Sequence, residues 1–337
     1  MLISEIIIFI VSFFILVWAS KILISSLTRI AVFMQISEYA LSFIIIGVAT
    51  SVPELFLAIS SGFRGIPEIS FGNIIGANLL NITLIVGLVA VIAGGIKSNS
   101  EIKKDIVPLL TIAFLPFIFG LDGKLSWVDG ALLIIIYVWH LSWFLRKKHI
   151  FEKTNSELIG RSKRIDEKLE IKYRAERGLP LYVPYHLSIV RQVFMFLGAI
   201  VLLIIASFLI VNVAQSVTES LELGLVAFGI FAVALGTTIP ELIFGIRSIM
   251  LKHNEMTVGN AFGSVAVNST LVIGLAALIS PVEVNLNRDF FTSMIFIALS
   301  LLAIKVFFKR DKGAISAREG LILISIYTVF MVLKIFL

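Results

Sequence analysis

Ten long apolar stretches, separated by polar segments, constrain this chain more than any other feature of its sequence. Each stretch is close to the ~20 residues that an α-helix needs to cross the hydrocarbon core of a bilayer. Hydrophobic residues occupy 58% of the 337 positions and charged residues only 15%, a balance typical of integral membrane proteins. The sequence therefore predicts an all-α, multi-pass protein of the cell membrane. The ten predicted transmembrane helices cover about 3–26, 39–63, 69–94, 105–121, 126–146, 191–213, 224–249, 257–280, 289–308 and 317–336.

One motif occurs twice in the chain. Residues 49–54 read Ala-Thr-Ser-Val-Pro-Glu, and residues 236–241 read Gly-Thr-Thr-Ile-Pro-Glu. The same offset of 187 residues aligns residues 72–92 with residues 259–279, with ten identities in 21 positions and no gap. Shared apolar composition does not produce agreement of this kind. We infer an internal duplication.

The duplication divides the chain into residues 1–146, with helices 1–5, and residues 191–337, with helices 6–10, joined by the loop 147–190. Because each half has an odd number of helices, the sequence predicts two inverted-topology repeats, as in many transporters. Lysine and arginine are concentrated in the loop and on its side of the membrane, so we expect a cytoplasmic loop and two extracytoplasmic termini. The charge pattern of the loop favours a solvated linker over a short amphipathic helix on anionic lipid.

Two carboxylates fall inside the predicted membrane core. Of the 22 aspartates and glutamates, only Glu54 and Glu241 lie near the middle of predicted spans, and no lysine or arginine lies at a matching depth. An ionised carboxylate in hydrocarbon costs at least ~2.5 kcal/mol on insertion scales, so it is retained with a partner or for a function. One divalent cation, two monovalent cations or protons would supply the missing positive charge.

The residues around these glutamates offer oxygen ligands. Thr50 lies four positions before Glu54 on the same helix face, and the proline of the motif removes a backbone donor and leaves a carbonyl open. Asn81 follows Glu54 by 27 residues, as Asn268 follows Glu241. Carboxylate, hydroxyl, carbonyl and amide oxygens together favour Ca²⁺ or Na⁺ over zinc or copper.

The sequence lacks the motifs of several other classes of protein. The 28 basic residues lie between or beside apolar spans with no nucleic-acid-binding motif, so we expect a lipid bilayer as partner and no nucleic acid. No nucleophile and base pair, His-Glu-x-x-His helix or aspartate dyad indicates an enzyme, and no cofactor is expected. A passive cation channel is the alternative from another class, although an inverted repeat suits alternating access better. The oligomeric state is left open.

The paired motifs resemble a known family. Residues 50–54 and 237–241, together with Gly72 to Asn81 and Gly259 to Asn268, resemble the two alpha-repeats of the sodium/calcium exchanger family, prokaryotic type, within the calcium/cation antiporter superfamily. The resemblance covers nearly the whole chain. It implies a secondary active antiporter that exchanges Na⁺ for Ca²⁺ by alternating access, with helices 1 and 6 sliding across the other eight helices.

The resemblance also implies roles for single residues. Glu54 and Glu241 would bridge Ca²⁺, and Thr50 and Thr237 would add oxygens to it. Flanking Na⁺ sites and a centre lined by amides complete the implied site. Their residues are Ser51, Thr238, Ser264, Asn81, Asn268 and the carbonyls of Gly47 and Ala234.

The chain departs from the family pattern at three positions. Ala77 replaces the serine of helix 3, whereas its equivalent Ser264 is present, so one flanking Na⁺ site lacks a side-chain ligand. Asn268 is neutral where some relatives carry aspartate, and Ala49 replaces the usual glycine. These departures leave the Na⁺ stoichiometry open and keep a proton/calcium exchanger, or another cation/calcium exchanger, as the alternative. The Ser-x-Pro-Glu motif favours sodium, because proton/calcium exchangers typically carry a Gly-Asn-Ala-Thr-Glu type of motif instead.

Overall fold

A computed structural model describes residues 2–33, 47–97, 100–147, 185–220, 224–250, 254–310 and 314–336. These residues are helical apart from turns and four strands of two residues each. The helices are α1 (Leu2–Phe33), α2 (Gly47–Thr50 and Val52–Phe63), α3 (Glu68–Ile92), α4 (Ser100–Phe119), α5 (Trp127–Lys147), α6 (Tyr185–Ser220), α7 (Leu225–Thr237 and Ile239–Met250), α8 (Asn254–Ile279), α9 (Arg288–Arg310) and α10 (Ala317–Phe336). The strands are β1 (Ile96–Lys97), β2 (Lys124–Leu125), β3 (Val282–Glu283) and β4 (Ala314–Ile315).

The helical class predicted from the sequence is confirmed, and the described part of each predicted span is helical apart from one or two end residues and the interruptions at Ser51 and Thr238. Residues 39–46 of the second predicted span and residues 148–184 of the predicted loop lie outside the described residues. Helix α6 begins at Tyr185, so the last residues assigned to the loop are helical. Within the described parts, six helices are long and apolar enough to cross a membrane by length and composition. They are Ser4–Leu23, Glu68–Ile92, Ile189–Thr218, Leu225–Ile246, Thr257–Ile279 and Arg288–Arg310.

Helices α5 and α10 begin in the same way. At the start of α5, the backbone N–H of Ser126 donates to Asp129 Oδ2 at 2.8 Å, and at the start of α10 the N–H of Ser316 donates to Glu319 Oε2 at 2.8 Å. Both are capping boxes, in which a serine and an acidic residue three positions later satisfy each other's open N–H groups. Each box follows a short strand, so strand and cap together define where the helix begins.

The strands join the two halves of the chain. Strand β1, after α3, pairs antiparallel with β4, before α10, whereas β2, before α5, pairs antiparallel with β3, after α8. The helices next to these strands also pack across the halves, α3 against α10 and α8 against α5. A Cβ atom on Gly87 of α3 would lie 2.7 Å from the carbonyl oxygen of Gly320 on α10, and one on Gly274 of α8 would lie 2.8 Å from that of Gly130 on α5. The halves are therefore interlocked and do not lie side by side.

The buried apolar residues form two separate clusters. The larger cluster belongs to the bundle of α2–α5 and α7–α10. The smaller one lies between α1 and α6, which pack along each other, and it reaches the bundle through Leu57, Ile69, Phe228 and Val233. Only 28% of the apolar window of α1, and likewise of α6, is buried, against 83% for α3. Helices α1 and α6 thus form a peripheral pair on a well-packed bundle.

Candidate cation site

The helix that carries each motif is interrupted inside the motif. Helix α2 breaks at Ser51 and α7 breaks at Thr238, which are equivalent positions of the two repeats. Each break lies two residues before a proline, Pro53 or Pro240. Proline has no N–H and crowds the carbonyl four residues earlier, which explains the interruption. Regular pairing resumes beyond the break, where the N–H of Leu55 donates to the carbonyl of Ser51 at 3.0 Å.

The two glutamates are completely buried. Glu54 and Glu241 have an exposed fraction of 0%, and they lie close enough for their charges to interact. Each carboxylate lies beside the threonine of the opposite repeat, Glu54 beside Thr237 and Glu241 beside Thr50. None of the four carboxylate oxygens has a hydrogen bond of normal geometry or an ion pair with the residues described. The sequence prediction of two buried carboxylates without a basic partner therefore agrees with the described structure.

The motif threonines bind the glycine-rich helix of the other repeat. Thr50 Oγ1 donates to Asn260 Oδ1 of α8 at 3.2 Å and lies 3.0 Å from Ser264 Oγ. Thr237 Oγ1 donates to Asn73 Oδ1 of α3 at 3.0 Å. Asn73 and Asn260 are equivalent positions of the repeats, so the two contacts are related in the same way as the motifs. They connect each helix break to the opposite half.

Neither of these asparagines is among the site residues predicted from the sequence. The signal was present, because Asn73 and Asn260 are one of the identical pairs in the 187-residue alignment. A second polar contact was also not predicted: Asn78 Nδ2 of α3 donates to Ser269 Oγ of α8 at 2.7 Å. No repeat signal marked this contact, because the equivalent positions are occupied by Val265 and Ile82.

The predicted difference between the repeats, Ser264 in one and Ala77 in the other, lies beside the motif threonines. Ser264 Oγ lies beside Thr50, whereas the equivalent Ala77 is buried on α3 one turn after Asn73. Among the described residues, Thr237 has no side-chain hydroxyl as a second partner, and its further contact is the carbonyl of Ala234 at 3.4 Å. The polar surroundings of Thr50 are therefore richer than those of Thr237.

Several other predicted ligands lie at the breaks. Thr238 Oγ1 donates to the carbonyl of Ala234 at 2.7 Å, which places two predicted ligands of one Na⁺ site next to each other. In the other repeat, Gly47 begins α2, and Ser51 is buried with no hydrogen-bond partner for its hydroxyl among the residues described. The arrangement leaves the Ser51 oxygen available to a cation.

Asn81 and Asn268 lie at widened turns. A π-helical turn runs over Leu80–Ile85 in α3 and over Asn268–Val272 in α8. Insertions of this kind frequently mark functional sites. Both asparagines are fully buried, and their amide atoms have no hydrogen-bond partner in the described part of the chain. Buried polar atoms usually have a partner, so these amides stand out as groups that could bind a ligand.

Close packing holds α3 against the first half of α7. A Cβ atom on Gly72 would lie 2.1 Å from the carbonyl oxygen of Val226, and one on Gly76 would lie 2.6 Å from Ala234 Cβ. From the other side, a Cβ atom on Gly229 would lie 2.7 Å from the backbone nitrogen of Asn73. Only glycine permits this approach, which brings Asn73 within reach of Thr237.

The structure brings together buried oxygen groups from two interlocked, largely apolar helical halves, and oxygen groups of this kind are the ligands that hard cations prefer. The family profile described as sodium/calcium exchanger protein matches residues 4–146 and 191–336. The chain therefore belongs to the sodium/calcium exchanger family, whose members are transporters. It is a multi-pass membrane protein of the class that exchanges another cation for calcium.

Two relatives align with most of the chain. The sodium/calcium exchanger MaX1 of Methanosarcina acetivorans is 24% identical over 345 aligned positions, which cover 94% of this chain and 94% of the relative. The uncharacterized membrane protein MJ0091 of Methanocaldococcus jannaschii is 24% identical over 321 residues, or 95% of each chain. The solved structure of the sodium-calcium exchanger NCX_Mj, soaked with Na⁺ and Sr²⁺, superimposes with a TM-score of 0.65 at 20% identity. It covers 98% of this chain and 99% of its own. This likeness establishes a shared fold.

Proposed function

We propose that the protein exchanges Na⁺ for Ca²⁺ by alternating access and binds both cations at mid-membrane between the repeats through Glu54 and Glu241. The observation that carries the proposal is the pair of fully buried carboxylates, which have neither a hydrogen bond of normal geometry nor an ion pair among the described residues. Two such charges in a membrane interior require positive charge from elsewhere. One Ca²⁺ or two Na⁺ ions supply it.

The neighbouring oxygens suit these ions. In the proposed site, Thr50 and Thr237 add ligands to Ca²⁺, and Asn81 and Asn268 line its centre. Hydroxyls and backbone carbonyls beside the helix breaks take the flanking Na⁺ ions. The residues that provide these flanking ligands are Ser51, Thr238 and Ser264, with the carbonyls of Gly47 and Ala234. Hard cations take neutral and anionic oxygens of this kind, and no resident cofactor is needed.

Competition for the carboxylates couples the two fluxes. Bound Ca²⁺ uses the negative charge of Glu54 and Glu241 that Na⁺ also requires, so the two substrates exclude each other. Ca²⁺ and Na⁺ are similar enough in size for one set of oxygens to accept either. If the protein changes the side to which its site opens only when a cation is bound, each Ca²⁺ that moves one way must be followed by Na⁺ moving the other way. That requirement is the condition for antiport.

The architecture supports movement of one part against another. We propose ten transmembrane helices in two inverted repeats, a proposal supported by the exchanged strand pairs and glycine contacts. The separate cluster between α1 and α6 supports sliding of this pair over the bundle. Phe13 of α1 packs directly on Gly236, next to Thr237, so such a movement would reach the site. Basic residues favour cytoplasmic placement of the loop 147–190 and extracytoplasmic termini.

Flux measurements test the proposal. The protein is reconstituted into liposomes, and Ca²⁺ uptake is measured in parallel with outward gradients of Na⁺, H⁺ or K⁺ at matched membrane potential. We expect Ca²⁺ uptake only when the Na⁺ gradient is imposed. Uptake driven by H⁺ alone would identify a proton/calcium exchanger, and uptake without any counter-gradient would identify a channel. Either result would contradict Na⁺ exchange.

Substitution of Ala77 by serine is expected to strengthen Na⁺ binding. The new hydroxyl would lie in the place equivalent to that of Ser264, which contacts Thr50 at 3.0 Å in the other repeat. One added hydrogen-bonding oxygen contributes about 1 kcal/mol, so the Na⁺ concentration for half-maximal Ca²⁺ efflux should fall roughly fivefold. The matched control is Ser264→Ala, which should raise the Na⁺ concentration for half-maximal Ca²⁺ efflux. An unchanged Na⁺ titration in Ala77→Ser would show that backbone or water already fills this position.

A further inference from the structure

We propose that Asn73 and Asn260 are positioning residues for ion binding, each of which accepts the hydroxyl proton of a motif threonine so that the hydroxyl oxygen faces the cation. Asn73 accepts the proton of Thr237, and Asn260 accepts that of Thr50. This inference rests on the proposed function, because it concerns the threonines that the proposed Ca²⁺ site contains. It assigns a role to two residues outside the proposed ligand set.

The role follows from the chemistry of a hydroxyl group. A threonine hydroxyl has one proton and two lone pairs, and a cation binds only a lone pair. Thr237 lies beside Glu54, and a carboxylate is the stronger acceptor for a hydroxyl proton. A proton directed at Glu54 would occupy a carboxylate oxygen that the cation needs, and it would present positive charge to the incoming ion. The proton must therefore be directed to another acceptor when the cation binds.

Asn73 is placed to be that acceptor. Its Oδ1 receives the Thr237 proton at 3.0 Å, and the residue is fully buried on a helix held against α7 by the close contact at Gly72. Asn73 Nδ2 has no hydrogen-bond partner in the described residues, so the visible polar function of the side chain is to accept from Thr237. The same contact recurs from Thr50 to Asn260 at 3.2 Å. Recurrence in both repeats indicates a shared requirement of the site.

The two repeats differ in what else accepts the proton. Thr50 has Ser264 Oγ at 3.0 Å as a second partner, whereas the equivalent of Ser264 beside Thr237 is Ala77. Apart from Glu54, the remaining acceptor for Thr237 in the described structure is the Ala234 carbonyl at 3.4 Å, which also receives the proton of Thr238. Loss of Asn73 therefore leaves the Thr237 proton to Glu54 or to a long and shared carbonyl contact, whereas loss of Asn260 still leaves Thr50 with Ser264.

Leucine substitutions test this asymmetry, because leucine is close to asparagine in shape and cannot accept a proton. Ca²⁺ affinity is measured by calorimetry on the full-length purified protein, and by the Ca²⁺ dependence of uptake in liposomes. For Asn73→Leu we expect about a tenfold loss of Ca²⁺ affinity with a much smaller change in maximal rate. For Asn260→Leu we expect about a twofold loss. The double variant Asn73→Leu/Ala77→Ser should return to within about twofold of the unsubstituted protein, because the introduced serine hydroxyl would provide the acceptor.

A double-mutant cycle provides the control for a merely structural effect. In a Thr237→Val background no hydroxyl remains to be oriented, so Asn73→Leu should cause no further loss of Ca²⁺ affinity. If Asn73→Leu does not yield folded protein, the same comparison is made in the other repeat. There Asn260→Leu/Ser264→Ala should lose about as much affinity as expected for Asn73→Leu.

Three results would overturn the inference. They are equal losses in Asn73→Leu and Asn260→Leu, absence of rescue by Ala77→Ser in folded protein, and a loss of maximal rate with unchanged Ca²⁺ affinity. Failure of the proposed function has a different signature, because Ca²⁺ uptake by the unsubstituted protein would then not be coupled to Na⁺. Ca²⁺ binding by calorimetry also remains informative if the counter-ion is a proton.

Discussion

Glutamine in place of either Glu54 or Glu241 is expected to abolish Na⁺-driven Ca²⁺ exchange while the protein remains folded. Each substitution keeps the shape of the side chain and removes one of the two charges that neutralise the cation. Loss of one charge from a buried site costs several kcal/mol of binding, so we expect at least a ~100-fold loss of exchange rate. Uptake of radioactive Ca²⁺ into liposomes measures this directly.

Thermal unfolding separates loss of binding from loss of folding. The empty protein buries two carboxylates without a partner among the described residues, and a neutral glutamine avoids much of that penalty. In the absence of Ca²⁺ we therefore expect Glu54→Gln and Glu241→Gln to melt at the same temperature as the unsubstituted protein or higher. Addition of Ca²⁺ should raise the melting temperature of the unsubstituted protein only, because a ligand stabilises the state that it binds.

Glu68→Gln is the matched control for the loss of a membrane-associated carboxylate. Glu68 lies at the start of α3, outside the motif, where its Oε1 receives the backbone N–H of Glu283 at 3.4 Å. Exchange by Glu68→Gln should be close to that of the unsubstituted protein. Near-normal Ca²⁺ transport in both Glu54→Gln and Glu241→Gln would contradict the assignment of these residues as ligands.

The sequence predicted the parts of this structure that depend on local pattern. Apolar length located the helices, and Pro53 and Pro240 located the breaks, since a missing N–H acts within one turn of helix. Identity at a constant offset paired Glu54 with Glu241. These signals do not require knowledge of which helices touch. The same offset of 187 residues aligned Ser264 with Ala77 and so showed that one repeat has a hydroxyl where the other has none.

The remaining features depend on tertiary contacts. Asn73 and Asn260 gain their importance from threonines that are 164 and 210 residues away, and no local pattern reports such a contact. Strands of two residues are too short for a hydropathy period, and their pairing follows from the way in which the halves interlock. The π-helical turns at Asn81 and Asn268 likewise carry no apolar signature, because the surrounding residues are buried on all sides.

Alanine in place of Gly72 is expected to destabilise the folded protein strongly. The added Cβ would lie 2.1 Å from the carbonyl oxygen of Val226 and less than 3 Å from two more of its backbone atoms. Backbone cannot rotate away as a side chain can, so α3 and α7 must separate. Overpacking of this kind typically costs ~1–3 kcal/mol, and we expect a loss of about 3 kcal/mol in stability. Thermal unfolding in detergent measures the loss, and liposome flux measures its consequence.

The same separation would move Asn73 away from Thr237, so the surviving Gly72→Ala protein should also bind Ca²⁺ more weakly. Gly198→Ala is the matched control, because a Cβ atom there meets no described atom within 4 Å and the residue is exposed on α6. Alanine favours helix over glycine by about 1 kcal/mol, so the control should be neutral or slightly stabilising. Wild-type stability and Ca²⁺ affinity in Gly72→Ala would mean that the contact between α3 and α7 is looser than the structure has it. The Asn73–Thr237 hydrogen bond would then lose the rigid support on which its positioning role depends.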